Sequence, residues 1–138
     1  VARETRDKMK QGKAVIIKAN GAKEVVTFTI GESYKVLSNA VEGMIECVRL
    51  AEDTDMWCNE NGIAEGRDLN LMASAIYNET FGVANPILGN VIITGGADEE
   101  GETLGLTEEQ VQKWLAYNKA IIPTAYFADP MYAEYLNR

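Results

Sequence analysis

No histidine occurs anywhere in the chain, and there are only two cysteines and three prolines. Without an imidazole there is no Ser-His-Asp or Cys-His machinery and no histidine acid-base step. The common zinc shells go too, since two thiols leave a tetrahedral site incomplete. Cys47 and Cys58 form neither a CxxC motif nor a disulfide framework, so free, partly buried thiols in a reducing compartment are expected. Apolar runs are short: none approaches the roughly 18 to 20 residues that span a bilayer, and residues 1–13 lack the apolar core of a secretory signal. Both observations lead to the expectation of a cytoplasmic protein without membrane contact. The phosphate-binding loop G-x-x-x-x-G-K-[ST] and the dinucleotide loop G-x-G-x-x-G are missing as well.

What is present is the balance of a globular protein. Hydrophobic residues make up 46% of 138 positions and charged residues 25%, enough for one domain with its own core. The net charge of −8 is unevenly spread. In residues 1–13 the five basic side chains Arg3, Arg6, Lys8, Lys10 and Lys13 oppose Glu4 and Asp7, so this segment is +3 and the remainder carries −11. An acidic body repels nucleic acid and anionic membranes and attracts basic partners.

Residues 1–12 read as a charged leader. Residues 14–19 are apolar and β-branched, then come Asn20-Gly21 and a second apolar run over 24–30. This predicts a hairpin closed by a tight type I′ turn. Tyr34, Leu37 and Val41 share a helical stripe over 33–42, with Gly43 placed to end the helix. Residues 44–50 and 55–58 read as third and fourth strands, and Asn59-Glu60-Asn61-Gly62 as a turn. A second helix is expected over 69–77 behind an Asp68 N-cap, and a buried strand over 90–94 ending at Gly95-Gly96. Thr107-Glu108-Glu109-Gln110 is a capping box for a third helix running to about Tyr117. In the tail, Asp129-Pro130 predicts the start of a short C-terminal helix.

Few residues qualify as a site. The glycine pair after the buried strand could cradle a phosphate, yet Asp98, Glu99, Glu100 and Glu102 would stand beside that anion and repel it. Those carboxylates do not form a calcium loop, because an EF-hand counted from Asp98 needs glycine where Thr103 stands. Cys58 lies among acidic neighbours that raise a thiol pKa, so it is no nucleophile. As partner-binding candidates there remain the acidic loop Asp98, Glu99, Glu100 and Glu102, the indole of Trp57 and the tail aromatics Tyr126, Phe127, Tyr132 and Tyr135. An inward-facing Trp57 and a tail docked on its own domain are the plainer alternatives. No catalytic residue, metal ligand or cofactor is assigned.

Several motifs occur in one order: Val41-Glu42-Gly43, Met44-Ile45-Glu46-Cys47-Val48, Trp57-Cys58-Asn59-Glu60-Asn61-Gly62, Asp68-Leu69-Asn70, Leu88-Gly89-Asn90-Val91-Ile92-Ile93-Thr94-Gly95 and Leu106-Thr107-Glu108-Glu109-Gln110. Over about residues 13–115 the chain resembles a small uncharacterised domain family found mainly in bacteriophages, prophages and plasmids. The resemblance implies a mobile-element accessory protein in a bacterial host and carries no reaction.

These observations predict an α+β fold, a mixed sheet of about five strands with three helices, β-grasp-like in its first half. The expected organisation is a leader at 1–12, a domain at 13–117 and an aromatic tail at 118–138. The expected function is non-enzymatic binding of a basic host or viral protein through the acidic surface, without direct contact to nucleic acid. A small-ligand or nucleotide sponge and a virion or filament subunit assembling as a homo-oligomer through the tail are the alternatives.

Overall fold

Two hairpins and one apolar strand build the sheet. The computed structural model describes residues 10–120. Strands β1 (Gln11–Ile17) and β2 (Lys23–Thr29) pair antiparallel from Gln11↔Thr29 to Ile17↔Lys23. Their connection is one residue longer than a two-residue hairpin. Lys18 O accepts from Gly21 N at 2.8 Å, and Gly21 alone takes a left-handed φ of 90° while Asn20 does not. A type I turn closed by a left-handed glycine thus replaces the expected type I′ turn. Asn20 Oδ1 meanwhile accepts from Ala22 N at 2.9 Å.

Helix α1 (Tyr34–Val41) follows, then the second hairpin of β3 (Ile45–Ala51) and β4 (Thr54–Asn59), helix α2 (Leu71–Phe81), strand β5 (Val91–Thr94) and helix α3 (Glu108–Ala116). The sheet order is β2-β1-β5-β4-β3, and all neighbours are antiparallel. The α+β class, five strands and three helices are as expected, whereas the sheet is antiparallel rather than mixed. The β-grasp comparison also fails, because a β-grasp sheet sets its last strand parallel beside β1, whereas the strand beside β1 here runs antiparallel to it. That place belongs to β5, whose Val91, Ile92 and Ile93 are fully buried. A strand apolar on both faces belongs at the centre, while β3 alternates Glu46 and Arg49 with apolar residues and suits an edge.

Alternation along β1 assigns the two faces of the sheet. Ala14 and Ile16, with Phe28 and Ile92, pack under Leu37, Ala40 and Val41 of α1. Val15 and Ile17, with Met56, Val91 and Ile93, pack under Ala73 and Ile76 of α2 and Val111 and Trp114 of α3.

The helix ends show which local signals prevailed. The α3 capping box forms, with Thr107 Oγ1 accepting from Gln110 N at 3.1 Å and Gln110 Oε1 from Thr107 N at 2.8 Å. Helix α2 starts after Asn70 rather than Asp68, because Asn70 Oδ1 accepts from Ala73 N at 2.9 Å. Its buried Nδ2 also donates to Ile17 O and Gly89 O, both at 3.0 Å. At the end of α1 the left-handed residue is Glu42, with φ 61°, instead of Gly43. At Gly43 a Cβ would lie 2.8 Å from Asn59 Nδ2, an amide already bonded to Val41 O and Glu65 Oε2, so a side chain there would displace it. The expected C-terminal helix and the tail beyond residue 120 lie outside the described residues.

Candidate functional site

Strand register places the acidic turns. The start of β1, the end of β2, the end of β3, the start of β4 and the end of β5 all lie at one end of the sheet. The connections there carry Glu32, then Glu52 and Asp53, then Asp98, Glu99, Glu100 and Glu102, with Glu108 and Glu109 in the first turn of α3. The four-carboxylate loop seen in sequence is therefore one part of a larger acidic end.

Backbone contacts hold this end together. Asp98 Oδ1 accepts from Glu100 N and Glu102 N, each at 2.9 Å, and an Ala97↔Thr103 bridge closes the loop. Asp98 thus builds its own turn, while Glu99 and Glu100 extend into solvent. Gly95 and Gly96 are needed for close backbone approach: a Cβ on Gly95 would collide with Gly105 O, and one on Gly96 with Glu52 O. Close packing thus accounts for the glycine pair that resembled a phosphate cradle.

Two ion pairs lie near these turns, Lys13–Glu108 at 2.9 Å and Arg49–Asp55 at 3.2 Å. The Lys13 ammonium, helped by Gln112, holds the Glu108 carboxyl below the usual glutamate range. Glu32, Glu52, Asp53, Asp98, Glu99, Glu100, Glu102 and Glu109 have no ion pair among the described residues.

Trp57 sits in mid-strand, paired with Cys47 on one side and Ile92 on the other. Its ring is half-buried against the α1-side core, and its Nε1 donates to Thr94 Oγ1 at 3.0 Å. Tyr126, Phe127, Tyr132 and Tyr135 lie outside the described residues. Burial, then the Glu46 charge, pushes the Cys58 thiol up to about 12. Partial burial of its sulfur, then Asp55, pushes Cys47 up to about 11. Both stay protonated near neutrality, the inert state of a thiol. Among the described residues no three or more Cys, Asp or Glu are grouped to hold a metal ion.

A second feature was not legible in the sequence. A groove of about 820 Å³ runs beside β3 on the α2 side of the sheet, between strand residues 46–49, the turn at 60–64, segment 85–88 and the rings of Tyr77 and Phe81. The two ring centroids lie 4.6 Å apart, with the planes tilted by 45°. Phe81 and Ile63 remain 45% and 46% exposed. Glu46, opposite Cys58 in the ladder, and Glu60 contribute carboxylates. The helix was expected to stop at Tyr77, so Phe81 was read as loop, and only folding brings α2 beside β3.

Among the described residues no strand pairs with the outer edge of β3, which is last in the sheet order. Glu60 N donates to Met44 O at 2.8 Å, which fixes the phase of the ladder. By antiparallel alternation Glu46 and Val48 bond to β4, and the amides and carbonyls of Ile45, Cys47 and Arg49 point outward.

The opposite end of the sheet is a polar network. Arg67 donates to Glu42 Oε2 at 3.4 Å, to Glu42 O at 3.0 Å and to Glu65 Oε2 at 3.1 Å. Asn90 Nδ2 reaches Glu42 Oε1 at 3.1 Å, and Asn59 Nδ2 reaches Val41 O at 3.1 Å and Glu65 Oε2 at 3.2 Å. These groups tie loops together and leave few polar atoms free for a ligand.

Among the described residues no helix is long and apolar enough to cross a membrane. The model of a family described as a domain of unknown function, DUF3846, matches residues 9–119, and the chain belongs to that family. No curated protein and no solved structure matches it.

Proposed function

We propose that this member of a family without an assigned reaction is a non-enzymatic binding module that holds a basic protein partner against its acidic end. The observation that carries the reading is the register, which gathers onto three turns and one helix start eight carboxylates that have no ion pair among the described residues. Turns fixed by backbone bonds present this charge with little left to order on binding. The field accelerates encounter with a cationic surface, is screened by salt, and repels nucleic acid. Resemblance to domains of bacteriophages, prophages and plasmids supports the setting of a mobile-element accessory protein in the bacterial cytoplasm, with a host or viral protein as partner.

The test uses the full chain as bait in a bacterial lysate. A protein of high isoelectric point is captured at low salt and released as ionic strength rises. The combined change Glu99→Lys, Glu100→Lys and Glu102→Lys abolishes capture. Undiminished capture by that variant overturns the reading.

The groove supports a second reading, a small-ligand sponge, because its volume falls within the roughly 300 to 1,000 Å³ of ligand pockets. A native mass spectrum showing a bound small molecule, lost on widening the site with Tyr77→Ala, tests it.

A further inference from the structure

We propose that the open edge of β3 takes up an extended segment of a partner protein by strand addition, placing apolar side chains against Tyr77 and Phe81 and a lysine or arginine beside Glu46 and Glu60. The inference rests on the reading of the protein as a binding module and gives that module a second contact, outside the acidic end.

The backbone supplies the first argument. Ile45, Cys47 and Arg49 present three amides and three carbonyls along an edge without interruption, since the register shift in β3 comes later, between Arg49 and Ala51. An uncovered edge of this kind is a template for another strand.

The groove supplies the second argument. An added strand alternates its side chains, so every other one would enter the space between β3 and α2. That space is open along the strand, with Phe81 and Ile63 nearly half exposed, a shape that suits a continuous chain better than an enclosed small molecule.

Charge supplies the third. The Arg49 guanidinium is engaged by Asp55, whereas Glu46 and Glu60 have no ion pair among the described residues. The groove therefore complements a cation. Pairing with a second copy of the chain is disfavoured on the same ground, because an antiparallel seam centred on Cys47 sets both Glu46 carboxylates on one face.

The test selects binders from a surface-displayed library of random peptides about a dozen residues long. Enriched peptides should alternate apolar residues and carry Lys or Arg, and binding should slow hydrogen exchange at the Ile45, Cys47 and Arg49 amides. Cys47→Pro removes an outward amide and leaves the β3–β4 ladder bonds in place, so affinity should fall about tenfold or more with the fold unchanged. Methylating alternate peptide amides should have the same effect. Phe81→Ser, at an exposed position, should weaken binding without unfolding and keeps the test decisive if the proline variant does not fold.

Failure to enrich any peptide, or binding that neither Cys47→Pro nor Phe81→Ser weakens, overturns the proposal. So does a dimer that Cys47→Pro dissolves, or a small molecule that occupies the groove. Charge reversal at Glu99, Glu100 and Glu102 should leave this peptide binding intact. Peptide binding without lysate capture would count against the acidic-end reading alone, and capture without peptide binding against this one alone.

Discussion

The two ends of the sheet are both rich in carboxylates and use them in opposite ways. At the end where β1 finishes, Glu42 and Glu65 are locked to Arg67, and the buried Asn70 joins three chain segments. At the end where β1 starts, Glu99 and Glu100 project from a turn that Asp98 and the backbone have already closed. One set of acids holds the fold, and the other is available to a partner. Net charge alone cannot distinguish them; hydrogen-bond partners can.

The largest expected effect comes from Asn70→Ala. It leaves two buried carbonyls and one helix-start amide without their partner and should cost about 3 kcal/mol, read from denaturant midpoints. A loss under about 1 kcal/mol would break the contrast, since the network end would then be no more structural than the acidic end. Next is the left-handed Glu42. Glu42→Gly and Glu42→Ala both lose the carboxylate, yet the glycine variant should be more stable than the alanine variant by about 1 kcal/mol, because only alanine keeps the strained φ. Equal stabilities would show that the cap residue relaxes.

Arg67→Met should destabilise by roughly 1 kcal/mol, and by less at high salt, as befits a partly exposed pair network. Glu99→Gln with Glu100→Gln should move stability by no more than about 0.5 kcal/mol while weakening partner capture. A large stability change there would assign those acids to the fold after all. The smallest effect concerns Lys13→Met, which should move the Glu108 carboxyl up toward the ordinary glutamate range in an NMR titration, with Gln112 still holding it partly down. The folded value is depressed, so the contribution of the pair is present above the unfolded glutamate pKa and is lost as pH falls through the folded one.

Much of the architecture was legible because it is written locally. The β-branched run at 14–17, the capping box at 107–110 and the fully apolar strand at 91–93 each carry their own signal. Strand direction does not. Nothing near β5 says that it will lie antiparallel between β1 and β4, so the mixed sheet and the β-grasp comparison were reasonable and failed on a tertiary fact. Asp68 and Asn70 are both good N-caps, and the choice falls to Asn70 through Ile17 and Gly89, residues far from it in sequence. Similarly, the acidic loop was legible as four residues, but its extension to Glu32, Glu52, Asp53 and Glu109 depended on register. The groove left no periodic trace, because its walls come from a strand, a turn, a helix end and a loop.

The Ala97↔Thr103 bridge has a consequence for how this surface can change. Gly95, Gly96 and Gly105 fit backbone against backbone at the root of the loop and tolerate no side chain, whereas Glu99 and Glu100 at its tip touch little. Anchor and tip are separable in design terms. A foreign sequence of equal length, grafted between the bridge residues with an aspartate kept at its head and a glycine near its end, could alter what the protein recognises without asking the domain to fold differently.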